Sequence, residues 1–599
     1  MKLSDYVFQY FSSVGVRHVF TLTGGGIMHL VDSMGRSGMK YVCCHHEQAA
    51  AIAAQAYSML DERLSVCLAT TGPGGTNALT GAAAAYMDST PVIYLTGQVK
   101  REDFAVLRGV RQYGAQENDI LSMARPIVKY AVGIMDPERI AYELERCVYI
   151  ATHGRKGPVW IDIPLDVQAA EIDETSLTHF QAPEEPGHDI HAAVETAFRL
   201  LAEAKRPLLL LGQGALSSGA EDSLHEFVDK TGIPVMATWR ALSFMGTAEE
   251  GFFGSPGLQA PRYSNFILQS ADFLLVLGSR LDNMITAFNE EHFAPLAKKV
   301  IVDIDEKELE KLHMRETFSV HADIARFISG LLGMVKKSAV PFDFGAWQTR
   351  CQKIKARFSL FAERQATKDG VDLYQAVKSI SEQTPSDDVL AISSTSRCNT
   401  AGHIAFLRQR GQKSVSSMGF GSMGFALPSA VGAYFASKER RVIMLEGDGS
   451  LQLNLQELQT IVSYNINAKM FIFSNRGYAA ITAMQDRNFD GFYVGSNEKS
   501  GVFMPDLEKI AAAYGIPYRK ITKDEEIAQA VRDTLAEAGA AICDIQGGLS
   551  FDEIPKCISH IDPATGKRVS AHLEDAYPFL PETTRKEVMA YLIEGTERI

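Results

Sequence analysis

The densest group of residues with catalytic potential lies in residues 441–478, RVIMLEGDGSLQLNLQELQTIVSYNINAKMFIFSNRGY. Asp448 follows one predicted strand, and Asn475 follows the next strand, 27 residues later. In a right-handed βαβ unit both side chains reach the same edge of a parallel sheet. Their oxygens and the Gly477 carbonyl are hard donors that suit Mg²⁺ bound to a diphosphate. A turn in which Asp448 only caps a helix is the better interpretation of GDG alone, but the second strand ending in Asn favours the metal site.

The elements that must position these residues form three predicted α/β domains, each a doubly wound parallel sheet, followed by a C-terminal tail. The predicted boundaries are residues 1–172, 190–340 and 355–550 for the domains and 551–599 for the tail. The predicted strands are Val19–Leu22, Tyr41–Cys44, Ser65–Thr70, Pro91–Thr96 and Val159–Ile163 in the first domain, Pro207–Leu211, Pro234–Ala237, Phe273–Leu277 and Lys299–Asp303 in the second, and Val389–Ser393, Arg441–Leu445 and Lys469–Phe473 in the third.

The composition is that of an acidic globular protein. Of its 599 residues 46% are hydrophobic and 22% are charged, which excludes disordered, collagen-like and coiled-coil chains. The formal net charge of −13 argues against nucleic acid or an anionic membrane as a partner. No apolar run approaches the roughly 20 residues of a membrane-spanning helix. The eight cysteines have no CxxC spacing and no secretory signal is visible, so we expect reduced thiols and a cytoplasmic location.

The GDG turn followed by Asn at the end of the next strand resembles the signature of the thiamine diphosphate enzymes. The resemblance implies that Asp448, Asn475 and the Gly477 carbonyl bind Mg²⁺. It also implies that Gly449 and Ser450 lie near the cofactor's diphosphate.

The same family has a glutamate at the start of a helix in its N-terminal domain. YVCCHHEQAAAIAAQAYS supplies Glu47 at that position. The resemblance implies that Glu47 hydrogen-bonds the aminopyrimidine ring of the cofactor and thereby promotes loss of its C2 proton. The alternative is a carboxylate that only stabilises the N-terminus of a helix.

Two segments of the first domain resemble the acetolactate synthase branch of the family. They are TTGPGGTNALTGAAAAYMDSTPVIYLTGQV, residues 70–99, and RQYGAQENDILSMARPIVKYA, residues 111–131. The resemblance implies that Pro73 and Asn77 lie against the aminopyrimidine and that Gln116 faces the substrate.

Two glycine-rich turns also match this branch. Gly25, in TGGGI, would lie beside the reactive carbon of the cofactor. In SMGFGSMGFALP the resemblance implies that the Gly421 carbonyl binds the cofactor's amino group and that Met423 holds the cofactor in its bent form. The alternative for Met423 is ordinary core packing, because methionine commonly fills gaps.

The second domain contains PLLLLGQGALSSG, LGSRLDN, VDIDEKEL and VHAD, which resemble the flavin-binding domain of acetolactate synthases. The resemblance implies FAD in a structural, non-redox position, with Arg280, Asp303 and Asp323 as contacts. The superfamily also keeps this domain without flavin, so both states are open.

The chain departs from the acetolactate synthase pattern near the substrate and the diphosphate. Leu165 stands in IPLDVQ where the branched-chain enzymes have a lysine, which should change how a 2-oxo acid acceptor is held. AISSTSRCNT replaces an acidic, Gly-Gln-type loop, so Thr395 and Ser396 are the expected diphosphate contacts. The tail, HLEDAYPFLP, resembles a side branch of carboligases.

The resemblance implies a decarboxylating carboligase that acts on pyruvate or a similar 2-oxo acid and transfers an acetyl unit to a 2-oxo acid, ketone or keto sugar. It also implies a homodimer or homotetramer, with each cofactor between the first domain of one subunit and the third domain of another. The alternatives are a 2-oxo acid decarboxylase, a C–C lyase or hydrolase of the same family, and a non-catalytic cofactor-binding regulatory protein.

Overall fold

The computed structural model describes residues 1–184, 189–363, 370–548, 555–561, 566 and 568–596. The strands form three parallel sheets and one short antiparallel hairpin, and each parallel sheet lies in its own stretch of the chain. Three parallel α/β sheets were predicted from the sequence, and this fold class is confirmed.

The first sheet has the strand order β2-β1-β3-β4-β6-β5. Its strands are β1 (His18–Leu22), β2 (Lys40–Cys43), β3 (Ser65–Ala69), β4 (Val92–Gln98), β5 (Tyr130–Gly133) and β6 (Val159–Pro164). The helices of this unit are α1 (Leu3–Ser13), α2 (Met28–Arg36), α3 (Glu47–Asp61), α4 (Pro73–Met87), α5 (Ile120–Ala124), α6 (Ile140–Thr152) and α7 (Leu165–Gln168). Both α3 and α4 begin just beyond the carboxyl ends of strands.

The second sheet has the order β11-β10-β9-β7-β8. Its strands are β7 (Pro207–Leu211), β8 (Val235–Ala237), β9 (Phe273–Leu277), β10 (Lys298–Asp303) and β11 (Thr317–His321). The helices are α8 (His191–Glu203), α9 (Gln213–Ser217), α10 (Glu221–Thr231), α11 (Arg262–Ser270), α12 (Asn283–Thr286), α13 (Glu306–Glu310), α14 (Ile324–Lys337), α15 (Gly345–Arg357) and α16 (Leu360–Glu363).

The third sheet has the order β13-β12-β14-β15-β17-β16. Its strands are β12 (Val389–Ile392), β13 (Ser414–Val415), β14 (Val442–Gly447), β15 (Ala468–Ser474), β16 (Tyr518–Ile521) and β17 (Ala541–Gln546). The helices are α17 (Leu373–Glu382), α18 (Ser396–Ile404), α19 (Ala426–Ala436), α20 (Asp448–Leu451), α21 (Glu457–Ser463), α22 (Ala479–Phe489), α23 (Leu507–Ala513) and α24 (Ile527–Ala536). Asp448 directly follows β14, and Asn475 directly follows the adjacent strand β15.

The central strands are continuous apolar runs because helices cover both faces of a parallel sheet. All five residues of β7 and all five of β9 are buried. The two sequence predictions for these strands, Pro207–Leu211 and Phe273–Leu277, agree with the structure at both ends.

Small residues allow the first and third units to pack closely. Helix α3 is rich in alanine and almost entirely buried, and it lies against α19. A Cβ atom at Gly432 of α19 would lie 2.0 Å from the carbonyl oxygen of Ala53 in α3. Only glycine therefore permits this approach, which fixes the helix that begins at Glu47.

The tail packs on the second unit. It contains a hairpin of β18 (Ser559–Ile561) and β19 (Arg568–Ser570) and the helix α25 (Glu582–Glu594), which lies against α11 and α15. The buried Arg262 guanidinium donates to the carbonyls of Ala576 (2.7 Å) and Pro578 (2.8 Å). In the part of the chain that the structure describes, no helix is long and apolar enough to cross a bilayer.

Candidate active site

Two neighbouring turns of the third sheet bring Asp448 and Asn475 together. The turn after β14 carries Asp448, and the turn after the paired strand β15 carries Asn475. The Asp448 carboxylate accepts hydrogen bonds from the backbone N–H groups of Asn475 (3.0 Å), Arg476 (2.8 Å) and Gly449 (2.8 Å). These three donors fix the carboxylate at the carboxyl edge of the sheet.

The oxygen atoms at this edge fit a divalent cation. Burial raises the pKa of Asp448 to about 6, although its three backbone donors oppose the shift. The side-chain oxygen of Asn475 is buried and accepts no hydrogen bond from the described residues. A carboxylate that is costly to ionise and an orphaned carbonyl oxygen in one cavity are the donor set that Mg²⁺ would satisfy.

Asp448 and Asn475 line a cavity of about 370 Å³. Most sequence-predicted residues of the third domain share this cavity: Thr395, Gly421, Met423, Gly449, Ser450 and Gly477. Ser396 is the first residue of α18, and its side chain lies outside the part of the chain that the structure describes.

Backbone rather than side chain forms much of the wall. Gly421 has φ of +69°, which favours glycine, and its carbonyl is the predicted contact for the cofactor. A Cβ atom at Gly449 would lie 2.6 Å from the Tyr478 ring, and one at Gly477 would lie 2.5 Å from the Ser496 carbonyl oxygen. Side chains at these positions would force the loop apart.

Arg397 is a cavity residue that the sequence interpretation missed. Among the described lining residues it is the single basic side chain; it is 9% exposed, and its Nη1 donates to the Gly548 carbonyl at 3.0 Å. It is the second residue of α18, where a cation opposes the helix dipole. A basic residue in the first turn of a helix was the signal that could have identified it as a group facing an anion.

Glu47 is the first residue of α3 and is 6% exposed. Its Oε2 accepts a hydrogen bond from Nδ2 of Asn77, at 2.9 Å. The preceding residues are also fixed, because the His45 N–H donates to Oε1 of Glu457 in α21, at 3.0 Å. One carboxylate oxygen is therefore held by an amide on a rigid helix.

The other predicted residues of the first domain lie on turns or at the start of a helix, and they are exposed. Gly25, Pro73 and Gln116 are exposed, and Gln116 has φ of +64°. A Cβ atom at Gly72 would lie 2.4 Å from the Gln116 carbonyl oxygen, so the Gln116 turn lies directly against the start of α4. None of these residues, nor Glu47 or Asn77, lines the Asp448 cavity of the same chain.

A second, larger cavity of about 630 Å³ lies at the carboxyl edge of the second sheet. Arg280, Asp303 and Asp323 line it. Burial raises the pKa of Asp303, whose carboxylate accepts the Asp305 N–H at 2.9 Å. Asp323 is the N-cap of α14 and accepts the Arg326 N–H at 3.0 Å.

Gly212 and Gly278, which follow strands β7 and β9, both line this cavity and pack closely against each other. A Cβ atom at Gly212 would lie 2.1 Å from the Gly278 carbonyl oxygen, and Gly278 has φ of +61°. The cavity volume is within the 300–1,000 Å³ usual for cofactor sites. Its size, and a lining that includes Arg280 and the carboxylates of Asp303 and Asp323, fit an extended dinucleotide such as FAD.

Comparisons with known proteins agree with this architecture. Family sequence models described as "Thiamine pyrophosphate enzyme" match this chain as the N-terminal TPP binding domain (residues 1–123), the central domain (194–331) and the C-terminal TPP binding domain (396–545). The chain is 31% identical to "Acetolactate synthase 1, chloroplastic" of Zea mays over 560 residues, which is 91% of this chain and 85% of the relative. It is also 31% identical to "Acetolactate synthase large subunit" of Pyropia yezoensis over 549 residues, 89% of each chain.

This chain belongs to the thiamine pyrophosphate enzyme family. It is a thiamine pyrophosphate-dependent enzyme of the acetolactate synthase type. Thiamine pyrophosphate and thiamine diphosphate are two names of one cofactor, so the family and the principal cofactor predicted from the sequence are confirmed. The domain boundaries and the roles of individual residues stay predictions.

Proposed function

We propose that this enzyme removes CO₂ from a 2-oxo acid, with pyruvate as the donor, and joins the remaining acyl unit to a carbonyl acceptor. The observation that carries the proposal is the presence, in one chain, of the Asp448–Asn475 cavity and of the buried Glu47 at the start of α3. When bound, thiamine diphosphate supplies a nucleophilic carbon and an electron sink for decarboxylation.

The residues of the cavity have separable roles in this proposal. Asp448, Asn475 and the Gly477 carbonyl would hold Mg²⁺, whose charge would offset that of the diphosphate. Met423 would hold the thiamine in its bent form, and the Gly421 carbonyl would accept a hydrogen bond from the cofactor's amino group.

Glu47 moves the proton in this proposal. Asn77 holds its Oε2, which leaves Oε1 to exchange a proton with the pyrimidine ring. Because Glu47 is almost fully buried, bulk water does not compete for that proton. Gln116, on its exposed turn, orients the substrate.

Two subunits form each site in this proposal. The exposure of Gly25, Pro73 and Gln116, together with their absence from the Asp448 cavity of their own chain, supports a partner's third domain as the surface that covers them. The minimum active unit is then a homodimer, and a homotetramer is compatible with it.

The larger cavity, at the carboxyl edge of the second sheet, is called the central cavity below; in this proposal it would hold FAD in a structural position. Arg280 binds its phosphates, and Asp303 and Asp323 accept hydrogen bonds from its hydroxyl or amino groups. A visible spectrum of the purified protein tests this directly: flavin absorption is expected, and a colourless protein that does not take up added FAD would contradict it.

The acceptor is an uncharged ketone or keto sugar rather than a 2-oxo acid in this proposal. Leu165 is a half-buried apolar residue at the start of α7, the helix whose Gln168 side chain donates to the Gly26 carbonyl beside Gly25, at 2.8 Å. The nearby Arg101 is occupied, because its Nε lies 2.7 Å from Oδ2 of Asp166. No cation at position 165 is then available to bind an acceptor carboxylate. The cytoplasmic location stays a prediction.

Product analysis tests the proposal. The purified enzyme with thiamine diphosphate, Mg²⁺ and pyruvate is incubated with and without a panel of ketones, keto sugars and 2-oxo acids. A new C–C bond to a ketone or keto sugar is expected. Acetaldehyde alone would support the decarboxylase alternative. Full activity of the Glu47→Gln variant would contradict the proton-transfer role of Glu47.

A further inference from the structure

One loop forms part of the wall of both cavities. Residues 417–423, which we call the shared loop, lie between β13 and α19. Met418 and Gly419 line the central cavity, whereas Gly421 and Met423 line the Asp448 cavity. A change in the position of this loop therefore alters both binding sites.

The shared loop is attached to the first unit through Asp88, which follows α4. The Gly419 N–H donates to Oδ1 of Asp88 at 3.3 Å, and a Cβ atom at Gly419 would lie only 3.2 Å from that oxygen. The other carboxylate oxygen accepts Nε2 of Gln55, in α3, at 3.0 Å. Asp88 is 7% exposed, so these contacts form away from water.

Arg240 of the second unit holds the same aspartate. Its Nη1 donates to the Asp88 carbonyl at 2.8 Å and lies 3.9 Å from Oδ1. Both Arg240 and Asp88 line the central cavity. The residues that hold the shared loop are therefore also part of the wall of the central cavity.

We propose that Asp88 and Arg240 are positioning residues that couple ligand binding in the central cavity to binding of thiamine diphosphate in the Asp448 cavity. The coupling rests on the proposed function in one respect, namely that FAD is the ligand of the central cavity. A ligand that fixes Arg240 and Asp88 also fixes Gly419, and hence Gly421 and Met423. The entropy of ordering the loop is then lost once rather than at each binding event.

Such a coupling must be reciprocal: FAD changes the affinity for thiamine diphosphate by the same factor by which thiamine diphosphate changes the affinity for FAD. We call this factor the coupling factor. The test is a set of calorimetric titrations of the full-length apoprotein. Thiamine diphosphate with Mg²⁺ is titrated with and without saturating FAD, and FAD is titrated with and without saturating thiamine diphosphate and Mg²⁺. In the wild-type protein each ligand is expected to tighten the other by about 5-fold or more, the usual lower range of allosteric coupling.

Three variants separate coupling from binding. Asp88→Asn and Arg240→Met are expected to bind each cofactor but to reduce the coupling factor toward one. Lys156→Met, the matched control, removes a cation that lines the same cavity but donates to the Ser217 carbonyl rather than to Asp88. It is expected to keep the wild-type coupling factor at saturating FAD.

Hydrogen exchange gives a second readout. FAD is expected to protect amides of residues 417–423 in the wild-type protein and not in Arg240→Met. The coupling would be overturned, and the flavin site would stand, if the wild-type protein bound both cofactors with a coupling factor of one. The same would follow if the coupling factor were unchanged in both Asp88→Asn and Arg240→Met. Failure of the wild-type protein to bind FAD would overturn the flavin site and the coupling together.

Discussion

Replacing Asp448 by asparagine should weaken cofactor binding without lowering the stability of the apoprotein at pH 7. Burial raises the pKa of the Asp448 carboxyl to about 6, so the native state of the apoprotein holds this ionised carboxylate at a cost at neutral pH. Because the folded-state pKa is raised, the native state binds more protons than the unfolded state between about pH 4 and pH 6. The stabilising effect of the protonated form is present below that window and is lost as the pH rises through 6.

The magnitude follows from the shift. A pKa of about 6 against the usual 3.8 corresponds to about 3 kcal/mol at pH 7, since one pKa unit is about 1.4 kcal/mol. The asparagine removes this cost but offers an NH₂ group to one of the backbone donors from Gly449, Asn475 and Arg476, which costs about 1–3 kcal/mol. The apo variant should therefore be as stable as the wild type or up to about 2 kcal/mol more stable at pH 7.

The assay is urea unfolding of both apoproteins, followed by circular dichroism, at pH 7 and pH 4.5. The advantage of Asp448→Asn should shrink at the lower pH. In parallel, its affinity for thiamine diphosphate with Mg²⁺ should fall by at least about 100-fold, because even indirect partners of a metal ligand contribute 10–100-fold. A variant that is more than about 2 kcal/mol less stable at pH 7, or that binds the cofactor normally, would refute this reasoning.

Three other substitutions test separate parts of the structure. In calorimetric titrations Arg397→Gln should lower the affinity for thiamine diphosphate by about 10-fold or more and leave the affinity for thiamine unchanged, and Arg397→Lys should recover part of the lost affinity. An equal loss of affinity for both ligands would contradict a contact between Arg397 and the diphosphate. Burial raises the pKa of Asp162 to about 7, so the native wild-type protein binds more protons than the unfolded protein and becomes less stable as the pH rises from 4 to 7. Over that range the free energy of unfolding of Asp162→Asn should increase by up to about 4 kcal/mol relative to that of the wild type. A difference in unfolding free energy that does not change with pH would contradict this expectation. Gly432→Ala should lower the thermal unfolding midpoint markedly, because its Cβ would lie 2.0 Å from the Ala53 carbonyl oxygen, and an unchanged midpoint would show that α3 and α19 can separate freely.

The sequence predicted best those elements whose environment is simple. Strands β7 and β9 are uninterrupted apolar runs, and both were predicted with the bounds that they have. No strand was predicted at β5, β11 or β16, which are edge strands, because half-exposed residues interrupt their apolar pattern. Strand β17 lies inside its sheet, but Asp544 and Gln546 break its hydrophobic run.

The candidate site followed the same logic. The spacing of Asp448 and Asn475 was informative because a βαβ unit fixes the geometry of successive strand ends. Arg397 was missed because its role depends on which residues surround the cavity, and that is set by tertiary packing. The hydrogen bond from Arg240 to the Asp88 carbonyl joins residues 152 positions apart in the chain, and no local sequence pattern predicts it.

The most direct test of the central claim is the activity of a hybrid dimer. Glu47→Gln and Asp448→Asn subunits are co-expressed with different affinity tags, and the mixed dimer is purified through both. If each site combines Glu47 of one subunit with Asp448 of the other, one of the two sites is intact, and about half of the wild-type carboligation rate is expected. Each homodimer is expected to be nearly inactive. A hybrid as inactive as the two homodimers would contradict the shared site.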